Sequence, residues 1–213
     1  MKVEAWDPSG RDISGTGEAG DLVCTRPFPC MPVKFWGPEG LNAYRKSYFI
    51  TFPGAWHHGD FIKLLPPPSR GLLMLGRSDG ILKPAGIRFG SAEIYNILLH
   101  HFSSEVEDAL CIGRRRFGFD VDETVVLFLK MFPGQGALTE GLISKIKKII
   151  GQELSQRHIP GIIDECFEIP VTTNGKKVEI VVKQILCGSE VKVSASVANL
   201  ECLEWYRAWA RAH

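Results

Sequence analysis

The chain has 213 residues, 45% of them hydrophobic and 23% charged, with a formal net charge of +1. That length can bury one sizeable core or two smaller ones, and the near-neutral balance excludes a strong field for nucleic acid or an anionic membrane. No apolar run is long enough to span a bilayer, and Glu4 stands where a secretory signal needs its apolar region, so neither membrane insertion nor secretion is expected.

Up to about residue 77, turn signals alternate with short apolar runs. Strands are expected over 2–6, 21–25, 61–65 and 72–75, the last two joined by Pro66-Pro67-Pro68-Ser69-Arg70-Gly71. A strand already under way near Met1 needs a partner, so this stretch reads as the end of a larger body whose apolar boundary predicts poor solubility. From about residue 79 the pattern is mixed. Residues 91–101 read as a helix capped by Ser91, with Ile94, Tyr95, Leu98 and Leu99 on one face. Strands are expected over 106–112 and 124–132, followed by the clearest helix, 138–156, with Leu142, Ile143, Ile146, Ile149, Ile150 and Leu154 in one stripe. A strand over 162–169, a helix over 177–186 and a final helix over 200–210 carrying Trp205 and Trp209 complete the chain. The order predicts an α+β fold: a β-rich end of a truncated domain (1–78), a small mixed domain with helices on one face of a sheet (79–188), and a tail (189–213).

The six cysteines, Cys24, Cys30, Cys111, Cys166, Cys187 and Cys202, form no Cys-x-x-Cys pair, and His57-His58 and His100-His101 lack a third ligand at metal spacing. Scattered cysteines of this kind fit a reducing, cytosolic setting, and no metal site is expected. Three other clusters carry polar chemistry. In His57-His58-Gly59-Asp60, a Gly-Asp at the mouth of a strand offers one carboxylate that can accept from two vicinal hydroxyls, as on a ribose. Gly-Asp is also an ordinary turn. In the segment from Gly76 to Ile94, Arg77 presents a guanidinium suited to hydroxyl or phosphate oxygens. Ser78-Asp79-Gly80 is a break suited to a hinge, and Pro84-Ala85-Gly86 leaves backbone that a narrow ligand can approach. A hairpin turn followed by a capped helix reads the same residues equally well. In Thr172-Thr173-Asn174-Gly175-Lys176-Lys177, the Asn-Gly turn holds Lys176 at the tip of a mobile loop, where it can reach a phosphate or carboxylate, or simply be solvated. Arg114-Arg115-Arg116 is a compact basic patch, either a solvated loop or a contact for a coenzyme phosphate.

The three clusters, in this order, resemble the adenylate-forming superfamily of acyl-CoA synthetases. His58-Gly59-Asp60 is similar to its Thr-Gly-Asp segment, Gly76-Arg77-Ser78-Asp79 through Gly86 and Arg88 to its hinge motif, and Pro170 through Lys176 to its final lysine loop. Within it, Tyr44-Arg45-Lys46-Ser47-Tyr48-Phe49, Phe52-Pro53-Gly54-Ala55-Trp56, Arg88-Phe89-Gly90-Ser91-Ala92-Glu93-Ile94-Tyr95 and Asn174-Gly175-Lys176-Lys177-Val178-Glu179 resemble the acetoacetyl-CoA synthetases. The resemblance implies a ligase that activates acetoacetate with ATP and Mg2+ as an acyl-adenylate and then transfers it to coenzyme A. It implies that Asp60 and Arg77 bind the ribose, Asp79 is the hinge pivot, Gly86 and Arg88 meet coenzyme A or phosphate, Lys176 is catalytic, and Glu93 fixes a helix start. Two positions depart from the pattern: His58 stands in place of Thr, and Gly80 in place of an acidic residue. The family's Gly- and Ser/Thr-rich phosphate loop has no counterpart in this stretch, so a missing N-terminal domain is expected to be needed for a complete ATP site. The alternatives are a non-catalytic isoform or coenzyme A- or partner-binding module derived from such a ligase, and an adenylation domain that loads a carrier protein.

Overall fold

The computed structural model describes residues 1–134, 136–191 and 196–213. Gln135, inside the Gly-rich stretch 133–136, and tail residues 192–195 lie outside the described residues. The chain divides into two compact units, Met1–Asp79 and Gly80–His213.

The first unit is built on an antiparallel sheet of β1 (Lys2–Trp6), β2 (Ala19–Arg26), β3 (Trp56–Leu64) and β4 (Leu72–Arg77), in that spatial order. Period-2 alternation and register put Ala5, Cys24, Trp56 and Ile62 on one face, with Ile13 packed at one end of it, and Val23 on the other face with Phe52 and Trp6. The Cys24 and Trp56 end of the first face is covered by a helix the sequence reading does not contain, α1 (Gly40–Tyr48). Tyr44 and Tyr48 lie one turn apart on it, and Tyr48 stacks on Trp56 at 3.6 Å and 15°. The helix starts at a glycine because the Phe35 carbonyl oxygen lies only 1.9 Å from where a Cβ would stand. β4 is an edge strand with Leu72, Leu73 and Met74 exposed.

The second unit is a three-layer sandwich. β5 (Val106–Arg114) and β6 (Thr124–Met131) pair antiparallel, and β7 (Ile162–Glu165) joins β6 in parallel. Helices α2 (Ser91–His101) and α3 (Glu140–Glu153) cover one face, packing Ile94, Ile97, Leu98, Ile146 and Ile150 on Ala109, Cys111, Leu127 and Leu129. Helices α4 (Glu179–Leu186) and α5 (Cys202–Ala212) cover the other, packing Val182, Ile185, Leu203, Tyr206 and Trp209 on Leu110, Ile112, Val126 and Phe128. This corrects the expectation of helices on one face. Leu110-Cys111-Ile112 and the unbroken apolar run 125–129 present hydrophobic groups to both sides of the sheet, so both sides must be covered. Among the described residues, no helix is long and apolar enough to cross a membrane.

Two local expectations also change. Ser91 does not cap α2; it is the first helical residue, and its hydroxyl donates to Glu179 Oε1 at 3.1 Å. The Gly90 N–H is instead taken up by Glu93 Oε1 at 3.0 Å, the helix-starting role expected of Glu93. The expected strand 162–169 stops at Glu165; after one more backbone bond, from Cys166 N–H to the Leu129 carbonyl at 2.9 Å, side chains take over. Glu168 accepts from its neighbour's Ile169 N–H at 3.0 Å and from Lys130 Nζ at 3.1 Å, while Tyr206 donates to the Glu168 carbonyl at 3.0 Å.

Phe128 is fully buried, with Trp205, Tyr206 and Trp209 edge-on at 5.6, 5.1 and 4.9 Å. Phe128→Ala is predicted to destabilise the second unit by about 3–5 kcal/mol, through lost burial and the cavity left behind. Urea unfolding followed by tryptophan fluorescence measures it.

Candidate functional site

In the first unit the sequence-predicted polar residues meet on β3 and β4. Gly59-Asp60 does not lie at the mouth of a strand, as expected, but inside β3. Register shows why: Val23 pairs with His57 and Asp21 with Phe61, so β3 bulges between them, and Gly59 takes φ +84° there. The bulge sets Asp60 opposite Arg77, the last residue of β4. Arg77 Nη1 donates to Asp60 Oδ1 at 3.2 Å, and Arg77 Nε lies 3.6 Å from Asp79 Oδ1 in the turn that follows. One guanidinium therefore ties together Asp60, mostly covered, and Asp79, half exposed. It lies close over Gly59, where an added Cβ would stand 2.8 Å from Nη2.

His58 completes the cluster. Trp56 Nε1–H donates to His58 Nδ1 at 3.1 Å, which leaves the ring proton on Nε2, 3.5 Å from Asp60 Oδ2. With Tyr48 stacked on Trp56, a relay of Tyr48, Trp56 and His58 orients the carboxylate. A cleft of about 450 Å3 opens beside these groups, lined by Tyr48, His57, His58, Gly59, Arg77 and Asp79. Such a cleft joins an aromatic wall, the Arg77 donor and the Asp79 carboxylate, with Asp60 bonded to Arg77. Its aromatic wall comes from the helix that sequence reasoning missed, although Tyr44 and Tyr48 at i, i+4 were a signal for it.

The second unit holds the remaining candidates on two hairpins. Leu82 and Phe89 exchange backbone hydrogen bonds of 3.0 and 3.1 Å, closing a loop that presents Gly86, exposed at φ +79°, and half-buried Arg88. Its backbone is covered by carboxylates that sequence reasoning did not single out: Glu123 accepts from Lys83 N–H, and Asp122 from Ala85 N–H, each at 2.5 Å. Lys176 stands on the other hairpin, which backbone hydrogen bonds close. Thr172 N–H donates to the Lys176 carbonyl and Gly175 N–H to the Thr172 carbonyl, both at 2.8 Å. Asn199 clamps the base, accepting from Val171 N–H and donating to the Ile169 carbonyl, each at 2.9 Å. The Lys176 side chain is exposed and makes no ion pair among the described residues.

The arginine patch is not simply a solvated loop. Arg114 is buried at the end of β5, with its guanidinium 5.7 Å from the Trp209 ring. Arg116 is taken up by Asp120 at 2.9 Å and the His213 carbonyl at 3.0 Å. Four of the six cysteines are buried and all are free thiols. Among the described residues, no group of three His, Cys, Asp or Glu could hold a metal ion.

No family model matches the chain. Its structural neighbours are adenylate-forming acyl-CoA ligases. Acetoacetyl-CoA synthetase from Streptomyces lividans superposes with a TM-score of 0.85 at 36% identity, over 99% of this chain and 31% of that one. A benzoate CoA ligase from Burkholderia xenovorans shares the fold, with a TM-score of 0.66 at 22% identity, over 85% of this chain and 33% of that one. More particularly, its sequence homologues are acetoacetyl-CoA synthetases, such as that of Gallus gallus, 48% identical over 97% of this chain and 30% of that protein. A malonamoyl-CoA synthetase of Penicillium aethiopicum is 51% identical over 99% of this chain and 28% of that protein. The chain thus spans less than a third of the length of the curated relatives it matches.

Two outcomes test this geometry. Gly59→Ala is predicted to cost the first unit about 1–2 kcal/mol, since alanine resists positive φ, and to push Arg77 off Asp60; denaturation and a crystal structure report the two effects. Hydrogen bonds from Arg116 hold the Asp120 carboxyl down at about 2. Its folded-state value is depressed, so the stability it contributes is present above the ordinary carboxylate range and lost as pH falls toward 2. Asp120→Asn is predicted to lower stability at neutral pH and to flatten that acid limb in pH-dependent thermal unfolding.

Proposed function

We propose that this chain carries the ribose-binding, hinge and lysine-bearing portion of an acid–thiol ligase. The ligase converts acetoacetate, ATP and coenzyme A to acetoacetyl-CoA, AMP and diphosphate. The observation that carries this reading is the Arg77 cluster, a guanidinium bonded to Asp60 and set beside Asp79 at the end of a strand, in a chain whose homologues are acetoacetyl-CoA synthetases.

Each residue then has a physical task. Asp60, aimed by the bulge and by His58, accepts from the two vicinal hydroxyls of the adenylate ribose, and Arg77 donates to the same oxygens. Asp79 is the hinge pivot, tethered by Arg77. Lys176, exposed and without an ion pair among the described residues, brings its ammonium to the oxygens between carboxylate and α-phosphate, where negative charge accumulates as the adenylate forms. Its hairpin is clamped at the base, so Lys176 travels with its whole unit when coenzyme A displaces AMP. Gly86 and Arg88 line the approach of coenzyme A. Asp122 and Glu123 beside that loop favour the neutral pantetheine arm there over the coenzyme's phosphates. Mg2+ enters with the ATP phosphates as part of the substrate. Free, mostly buried thiols support a reducing, cytosolic setting.

One observation favours a second acid. Malonamate, the acyl portion named for the Penicillium relative, carries an amino group where acetoacetate carries a methyl, on the same β-carbonyl carboxylate skeleton. The substrate class is therefore a short β-carbonyl acid, with acetoacetate as first choice.

The remaining part of the relatives' length is needed to complete the ATP site in this proposal. The test exchanges this chain for the matching segment of the Gallus gallus enzyme and follows both half-reactions. The graft is predicted to form acetoacetyl-CoA. Lys176→Ala is predicted to cut adenylate formation about 10²–10³-fold while leaving thioester formation from supplied acyl-adenylate nearly unchanged. Equal loss in both steps would remove Lys176 from its role. Preference for malonamate would move the acyl assignment to the second acid, and a folded graft with no activity would sink the ligase reading.

A further inference from the structure

Lys176 and Lys177 are adjacent, and neither residue type nor spacing separates them. Their surroundings do. Lys177 Nζ lies 2.5 Å from Asp108 Oδ1, donates to the Ala109 carbonyl at 2.6 Å, and sits 4.2 Å from the centroid of the Tyr95 ring. An ammonium has three N–H donors, and a carboxylate, a carbonyl and a π face occupy all three. Lys177 has nothing left to offer a ligand, whereas the exposed Lys176 side chain makes no ion pair among the described residues.

The Tyr95 ring is itself fixed. Its hydroxyl donates to Glu179 Oε1 at 2.6 Å and accepts the Cys111 N–H at 2.9 Å, and Ser91 donates to the same Glu179 oxygen at 3.1 Å. Burial, with the Glu179 carboxylate beside it, pushes the phenol well above its ordinary range, so it stays a donor. Lys177 therefore rests on a plate bolted to β5, α2 and the first turn of α4. The backbone of Lys177 bridges Val171 on the far strand of the hairpin, and Val178 N–H donates to the Pro170 carbonyl at 2.9 Å. A lysine anchored at the return strand one residue after Lys176 fixes where the Lys176 Cα stands and which way its side chain leaves.

We infer that Lys177 is a positioning residue: held by Asp108, the Ala109 carbonyl and the Tyr95 ring, it sets the hairpin from which Lys176 acts. This rests on the ligase reading for the role of Lys176; the anchoring itself does not. Replacing the charge with an isosteric neutral side chain frees the return strand, while arginine keeps the charge and can still lie over the Tyr95 face.

Amide hydrogen exchange on the full chain tests the anchor. Lys177→Met is expected to speed exchange at 172–177 about tenfold and to leave α2 and α3 unchanged, with Lys177→Arg within about twofold of the parent. No change at the hairpin, or an equal rise throughout the unit, would overturn the anchor. In the grafted ligase, Lys177→Met is expected to lower kcat for adenylate formation about tenfold at unchanged KM for ATP, leave the coenzyme A step alone, and be rescued by Lys177→Arg. An unchanged kcat in an active graft would overturn the positioning role alone. A folded but inactive graft would overturn the ligase reading, and the positioning role with it.

Discussion

The second unit depends on the requirement that both faces of the β5–β6 hairpin be dry. Leu110 and Ile112 point one way and Ala109 and Cys111 the other, and β6 repeats the alternation with no polar side chain between Val125 and Leu129. A sheet of this kind cannot leave a face in water. The helices on either side are thus obligatory, and α4 is one of them. The Lys176 hairpin leads directly into α4, so the core that seats α4 also seats the candidate lysine. The same sheet supplies Asp108 and the Ala109 carbonyl to Lys177, which links the most buried layer of the unit to the hairpin that carries Lys176.

The first unit reaches its site by a different device. A regular β3 would send Asp60 along the ladder without placing it beside Arg77 and His58 together. The bulge at Gly59 breaks that regularity, and the missing Cβ lets the guanidinium lie close over the strand. His58 is part of the arrangement rather than a mere substitute for a hydroxyl. Its Nδ1 is engaged by Trp56, so its remaining proton faces Asp60. Arg77 on one side and His58 on the other thereby hold the carboxylate.

Strands and long helices were legible in the sequence because their apolar periods are strong: β1, β2, β5, β6 and α3 fall where alternation or a 3.6-residue stripe puts them. The α+β class and the grouping of Asp60 with Arg77 were legible too, the latter through a family resemblance. Three things were not. Helix α1 begins at a glycine and carries mostly polar residues, with only Tyr44 and Tyr48 to mark its inner face. The double-sided cover of the sheet was written in the run 125–129, yet a run of that length does not say which helices will cover it. The contacts of Asp122, Glu123 and Asn199 with backbone 37, 40 and 30 residues away carry no local signal, because long-range hydrogen bonds leave no period.

Completion of the ATP site by more than this chain is the central claim, and one assay addresses it most directly. The purified 213-residue chain, shown folded by circular dichroism, is supplied with ATP, magnesium, acetoacetate and coenzyme A, and acetoacetyl-CoA is measured by chromatography. The account predicts no product from the chain alone and product once the chain replaces the matching segment of a full-length relative. Acetoacetyl-CoA formed by the chain alone, and abolished by Lys176→Ala, would contradict it.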